Sequence, residues 1–136
     1  MAAIEVNLVS NREEVIKAKD EAIERALEII GQVAERYAKE LCPADTGRLR
    51  NSISHDVDAG EPAVYVGTNV EYAPYVEFGT GRFAEGGGRE TPWSYQDSDG
   101  NWHTTVGMKP RPYLRPAVAN HIDQYKQIVQ NELKSE

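Results

Sequence analysis

The chain has 136 residues, the length of one ordinary domain and too short for two. Its 22 acidic and 15 basic side chains leave a net charge of −7 with no basic run, which excludes a protein that wraps nucleic acid. Apolar runs end after three or four residues, far short of the about 20 needed to span a membrane. A single cysteine, Cys42, excludes an internal disulfide or a cysteine zinc cluster.

Residues 1 to 10 alternate weakly (Ile4, Val6, Leu8) and predict a short strand or an arm. They lack the basic start and long apolar stretch of a signal peptide, so the chain is expected to be made and folded in the cytoplasm. Ser10 with Glu13 reads as a capping box opening a helix. Val15, Ala18, Ala22, Ala26, Ile30, Val33, Tyr37 and Leu41 then recur in steps of three and four, predicting one long amphipathic helix over 11–41. Glu13–Lys17, Glu21–Arg25 and Glu35–Lys39 are i,i+4 pairs in the favourable order, which is the pattern of a solvated face. Gly31 lies inside the stripe, where it costs about 1 kcal/mol relative to Ala and marks a close contact or a bend.

Cys42-Pro43 stops the helix. Asp45-Thr46-Gly47 is a turn whose first two residues are candidate caps for a short helical turn through Leu49. From Ile53 the period becomes two, and 53–68 reads as an antiparallel hairpin turning at Gly60-Glu61-Pro62. Residues 70–78 are extended or hold one helical turn after Pro74, and the five glycines over 79–92 predict a mobile loop. Asp99-Gly100 between Trp93-Ser-Tyr-Gln and Trp102-His-Thr-Thr-Val marks a second hairpin. An extended stretch from Lys109 leads to a final helix with Pro116 near its start and an apolar stripe of Val118, Ile122, Tyr125, Val129 and Leu133. The order predicts a single α+β domain over 1–136: a small antiparallel sheet packed on one face by two helices, with a glycine-rich loop and hairpin protruding over 79–108.

Candidate chemistry is sparse. Asp45-Thr46-Gly47 is the aspartic-protease triplet, but it follows a helix end where the chemistry requires an apolar strand and a second carboxylate. Cys42 as a nucleophile with His55 or His103 as base has no supporting motif, so a half-buried thiol is expected. The glycines of 79–88 lack the Gly-Lys-Ser/Thr of a phosphate cradle, and the three histidines form no metal pattern. No catalytic, cofactor or metal residue is therefore assigned. Trp93, Tyr95 and Trp102 on the projecting hairpin read either as anchors for a partner or as a small satellite core. Together with Arg82, Phe83, Arg89 and His103 they form the candidate inter-subunit surface.

Three segments, in order, carry a resemblance: Pro43-Ala-Asp-Thr-Gly-Arg-Leu-Arg-Asn-Ser-Ile53, Val66-Gly-Thr-Asn-Val-Glu-Tyr-Ala-Pro-Tyr-Val-Glu-Phe-Gly-Thr80 and Lys109-Pro-Arg-Pro-Tyr-Leu-Arg-Pro-Ala117. The chain resembles the HK97-type tail-component proteins (tail-completion, head–tail joining) of long-tailed phages and prophages. That resemblance implies a non-enzymatic virion protein at the neck or head-proximal tail end. It implies a self-assembled ring, commonly six-fold, with other neck and tail proteins as neighbours and DNA only as passing cargo. It assigns structural weight to Asp45, Thr46, Gly47, Arg48, Leu49, Tyr72, Pro74, Tyr75, Glu77, Gly79, Thr80, Pro112, Leu114, Arg115 and Pro116. Asp45 to Arg48 are expected to brace the junction of the long helix and the sheet, and Glu77 to pair with Arg115. A minor tail protein elsewhere in the tail, a hydrolase built on Asp45 or Cys42, and a prophage-encoded host-binding or toxin-like module are the competing classes.

Overall fold

A computed structural model describes residues 12–43 and 47–134, with side chains from residue 16 onward. Elements follow in the order α1 (Arg12–Leu41), α2 (Arg48–Ser52), β1 (Ser54–Asp58), β2 (Ala63–Gly67), α3 (Ala73–Phe78), a 3-10 turn (Gly81–Phe83), β3 (Trp93–Gln96), β4 (Trp102–Thr105), α4 (Leu114–Ala119) and α5 (Ile122–Lys134). The class is α+β, as expected. The strand, or arm, expected over 1–10, the Ser10–Glu13 box, and the bracing and capping residues Asp45 and Thr46 lie outside the described residues. Gly47, at φ 72, occupies the N-cap of α2, a left-handed position that favours glycine.

The α1 helix is the spine. Its deepest line is made of small residues (Ala22, Ala26, Gly31, Ala34, Ala38 and Cys42), which lets two layers approach it closely. The β1–β2 hairpin packs on one side, and α4 and α5 pack on the other. This two-sided burial rotates the buried line away from the predicted stripe, so Leu41 is left exposed. The core proper gathers Ala38, Cys42, Leu49, Ile53, Val70, Ala73, Tyr113 and Ala117.

Gly31 is a close contact, not a bend. A Cβ there would lie 2.8 Å from His55 Cγ and 2.9 Å from Val64 Cγ2, so the missing side chain is what seats the hairpin. His55 then spans two turns of α1, with Nε2 2.7 Å from Glu28 Oε1 and Nδ1 3.1 Å from Glu35 Oε1. The Glu28 hydrogen bond, against the opposing effect of burial and with help from Glu35, raises the imidazole above its ordinary 6.5. Glu28 is lowered chiefly by His55; burial pushes Glu35 up, but His55 and Lys39 outweigh it and lower the carboxyl.

The raised histidine contributes stability that is fully present below about pH 6.5 and is lost as pH rises through its folded value. The two lowered glutamates contribute stability present above their ordinary 4.5 and lost as pH falls through their folded values. The expected result is a melting temperature that declines above pH 6.5 in the parent chain and declines less in His55→Gln. Parallel pH profiles of the two proteins would count against the clamp.

The two expected hairpins form two separate two-stranded antiparallel sheets, with Asp56 opposite Tyr65 in one and Tyr95 opposite His103 in the other. One expectation needs correction. The predicted last helix is two, broken at Asn120–His121, and α5 packs on α1 rather than on a sheet face. The break lets His121 stack on Tyr37 at 3.7 Å, while Tyr37 Oη donates to Gln124 Oε1 at 2.7 Å. It also rotates the expected stripe, so Tyr125 is buried but Val118, Ile122 and Leu133 are exposed. The glycine-rich segment begins with three backbone hydrogen bonds that pin it to its surroundings. Thr80 N–H donates to Met108 O at 2.9 Å, Arg82 N–H donates to Val106 O at 2.8 Å, and Glu85 N–H donates to Phe78 O at 2.9 Å.

Candidate functional site

The second motif ends in α3, the helical one of the two choices the sequence left open for 70–78. Tyr72 is its N-cap, Pro74 sits in its first turn where a missing N–H costs nothing, and Gly79 closes it at φ 83. Tyr75 faces outward, 60% exposed. Glu77 faces inward and is only 3% exposed, the sole buried charged residue among those described.

The third motif returns to this carboxylate. Pro112 is exposed, Tyr113 is buried, Leu114 begins α4 and Pro116 falls in its first turn, where α4 has three orphan N–H groups. Glu77 Oε1 accepts from the N–H of Tyr113 at 3.1 Å and of Leu114 at 2.7 Å. Its Oε2 accepts from Arg115 Nε at 2.9 Å, the pair expected from the sequence. Burial would push the Glu77 carboxyl up, but Arg115 and the two backbone donors outweigh it and hold it below the usual range.

Arg115 extends the clasp. Its Nη2 donates to the Glu77 carbonyl at 3.0 Å, its Nη1 and Nη2 hold both oxygens of Glu85 at 2.8 and 3.1 Å, and its guanidinium lies over the Phe78 ring at 4.6 Å. One guanidinium therefore joins α3, α4 and the segment leading into the second hairpin. Sequence reading missed Glu85; the only available signal was its acidic charge in a glycine-rich stretch.

From this root the β3–β4 hairpin projects, and it makes no extensive packing against the helices or β1–β2. The seven candidate interface residues lie on this hairpin and the segment leading into it, and they divide in role. Arg82 donates to Glu90 O at 3.1 Å. Phe83 lies under Lys109 at 5.9 Å. Arg89 donates to Thr91 Oγ1 at 3.1 Å and covers the Trp93 ring at 5.5 Å. Trp93 folds onto Gly81, where a Cβ would meet its ring at 2.6 Å. Tyr95 stacks on His103 at 5.3 Å, and His103 Nε2 pairs with Asp97 Oδ2 at 2.6 Å. Trp102 alone stands out, 70% exposed, on the face opposite Trp93 and Tyr95.

Gly47 and Arg48 lie within the first motif, and Leu49 beside them is buried in the core. Arg48 chelates Glu71 at 3.0 and 3.1 Å, which ties α2 to the segment before α3. Cys42 is buried and donates its thiol to Pro43 O at 3.4 Å, and burial raises it. Both ring nitrogens of His55 are engaged by glutamates, and the one bonded nitrogen of His103 is held by Asp97. Among the described residues no group of three His, Cys, Asp or Glu could hold a metal ion, and no helix is long and apolar enough to cross a membrane.

A family model described as "Bacteriophage HK97-gp10, putative tail-component" matches residues 7–79, more than half of the chain. The chain belongs to this phage tail-component family. The match takes in α1, the β1–β2 hairpin and α3, and it stops where the pinned segment begins. The tail-component match thus includes Glu77 but neither Glu85 nor Arg115, and the projecting hairpin lies wholly beyond it. No curated protein and no solved structure matches the chain.

Proposed function

We propose that this tail component is a single-domain, non-enzymatic ring subunit at the neck or head-proximal end of the tail, acting in tail completion or head–tail joining. The observation that carries the reading is the build of the hairpin. A root clamped by Glu77, Arg115 and Glu85 holds out an element whose most exposed aromatic side chain, Trp102, is 70% exposed. Energy is concentrated in the anchorage and apolar surface is left at the end, as in an element that waits for a partner. A closed ring uses heterologous contacts, in which one surface meets a different one on the next copy, and a projecting knob suits that geometry. The net charge of −7 favours a wall along which DNA slides without sticking.

The partners are other copies of the chain and the neighbouring neck and tail proteins, with the virion as the site of action after assembly in the host cytoplasm. The test shortens the hairpin to a Gly-Gly link in place of residues 94–104, which keeps the Glu85 clasp intact. The variant is expected to melt within a few degrees of the parent and to be absent from particles. Normal incorporation of the shortened chain would overturn the assembly role of the hairpin.

A further inference from the structure

We propose that the hairpin tip of one copy docks into a basic, apolar-floored socket beside Leu49 and Tyr72 on the next copy; this rests on the assembly reading above. The socket is a hollow of about 340 Å³ lined by Arg48, Leu49, Tyr72, Val76, Met108 and Arg111. Its floor is apolar: Leu49 is buried in the core with Tyr72 and Val76 packed against it, and Met108 is 48% exposed at the rim. Its charge is unusual for this acidic chain. Arg48 and Arg111 line it, and the positive charges of Arg50 and Arg111 both reach Cys42, the residue before Pro43 on its wall. Arg48 also chelates Glu71, so a docking carboxylate joins a guanidinium that already holds one.

The tip is the complement. Asp97-Ser-Asp-Gly-Asn-Trp102 places two carboxylates beside the most exposed large apolar side chain among the described residues. Asp97 is used within the hairpin, accepting from Asp99 N–H and Asn101 N–H at 2.9 Å each and pairing with His103 at 2.6 Å, so the exposed Asp99 is the carboxylate the tip offers. Gln96, opposite Trp102, turns to Gly100 O at 2.9 Å and leaves the indole uncovered. An acidic, aromatic knob therefore faces away from its own fold, and a cationic hollow with an aliphatic floor lies at the other end of the same hairpin.

The tip cannot reach the socket of its own chain. Met108, at the socket rim, is bonded to Thr80 at the hairpin root. Four strand residues at about 3.3 Å each carry the tip roughly 13 Å beyond that root. The knob reaches a socket only on a second copy, and each copy then offers a socket to another, the repeat a ring requires. Trp102 and the turn would bury a few hundred Å² at most, well under the about 800 Å² per partner of a stable pair. Two free copies should therefore stay apart, and closure depends on many such contacts held together on a platform. Phosphate of the passing DNA is the other anion that guanidinium groups accept. The indole beside the carboxylates favours the protein knob.

The test places a photo-crosslinking benzoylphenylalanine at position 102 of the full chain, in particles assembled with it, and maps crosslinked peptides by mass spectrometry. The expected products join residue 102 to segments 43–50 or 108–111 of a second copy. Crosslinks to another part of the chain, to a different protein or to DNA, with none to those segments, would overturn the socket while leaving the hairpin an assembly element. Failure of the chain to crosslink at all, with the shortened-hairpin variant incorporated normally, would sink both. In the double variant R50E/R111E, whose changes fall on exposed positions and leave the Arg48–Glu71 pair in place, the product is expected to fall at least tenfold with the melting curve of the free chain little changed. Undiminished yield would contradict the charge complementarity.

Discussion

Glu77→Ala is expected to lower stability by about 2–5 kcal/mol, chiefly because two backbone N–H groups lose their acceptor at about 1–3 kcal/mol each. The change removes the acceptor of two backbone N–H groups and of the Arg115 Nε, and the Tyr113 N–H in particular lies in a buried setting. In a domain of this size, total stability is of the order of 5–15 kcal/mol, so the melting temperature should fall by roughly 10 °C or more. Glu77→Gln keeps one acceptor and should lose less. Its sign with pH is also set: the carboxyl is held below its ordinary value, so its contribution is present above about pH 4.5 and is lost as pH falls through the folded value. Thermal melts of the parent, E77Q and E77A at neutral and acidic pH check this ordering, and equal melting temperatures for all three would remove the clasp from the fold's foundations.

Gly31→Ala carries the second large effect, and its sign opposes helix propensity. Ala inside an exposed helix gains about 1 kcal/mol over Gly. At position 31 the added methyl would stand 2.8 Å from His55 Cγ and 2.9 Å from Val64 Cγ2. Either the hairpin moves off α1 or the imidazole swings away from Glu28 and Glu35. Overpacking of this kind costs about 1–3 kcal/mol, and the lost clamp adds to it. A chemical-denaturation midpoint lower than the parent's is expected; a higher midpoint would show that the contact is loose.

How far the sequence foretold these features follows from what each one depends on. The α1 span, both hairpins, α2 and the α4 start rest on local signals: a period, a proline stop, an Asp-Gly turn. Those were readable to within a few residues, and Gly31 announced a contact although not its partner. The Glu77–Arg115 pair was readable only through the motif resemblance, since 38 positions separate its members. Glu85 escaped because its role depends on a long-range return of the chain, which no local pattern records. The break at Asn120 carried neither proline nor glycine, and tertiary stacking of His121 on Tyr37 accompanies it. The same limit explains Trp93 and Trp102: equal as sequence signals, they part because one strand residue points to Gly81 and the other away.

The central claim is that this tail component completes or joins the tail at the neck. Electron microscopy of particles from a phage or prophage with an early stop codon in this reading frame tests it most directly. Filled heads lying apart from tails, or tails of abnormal length, are the expected result. Normal, infectious particles without the protein would contradict it.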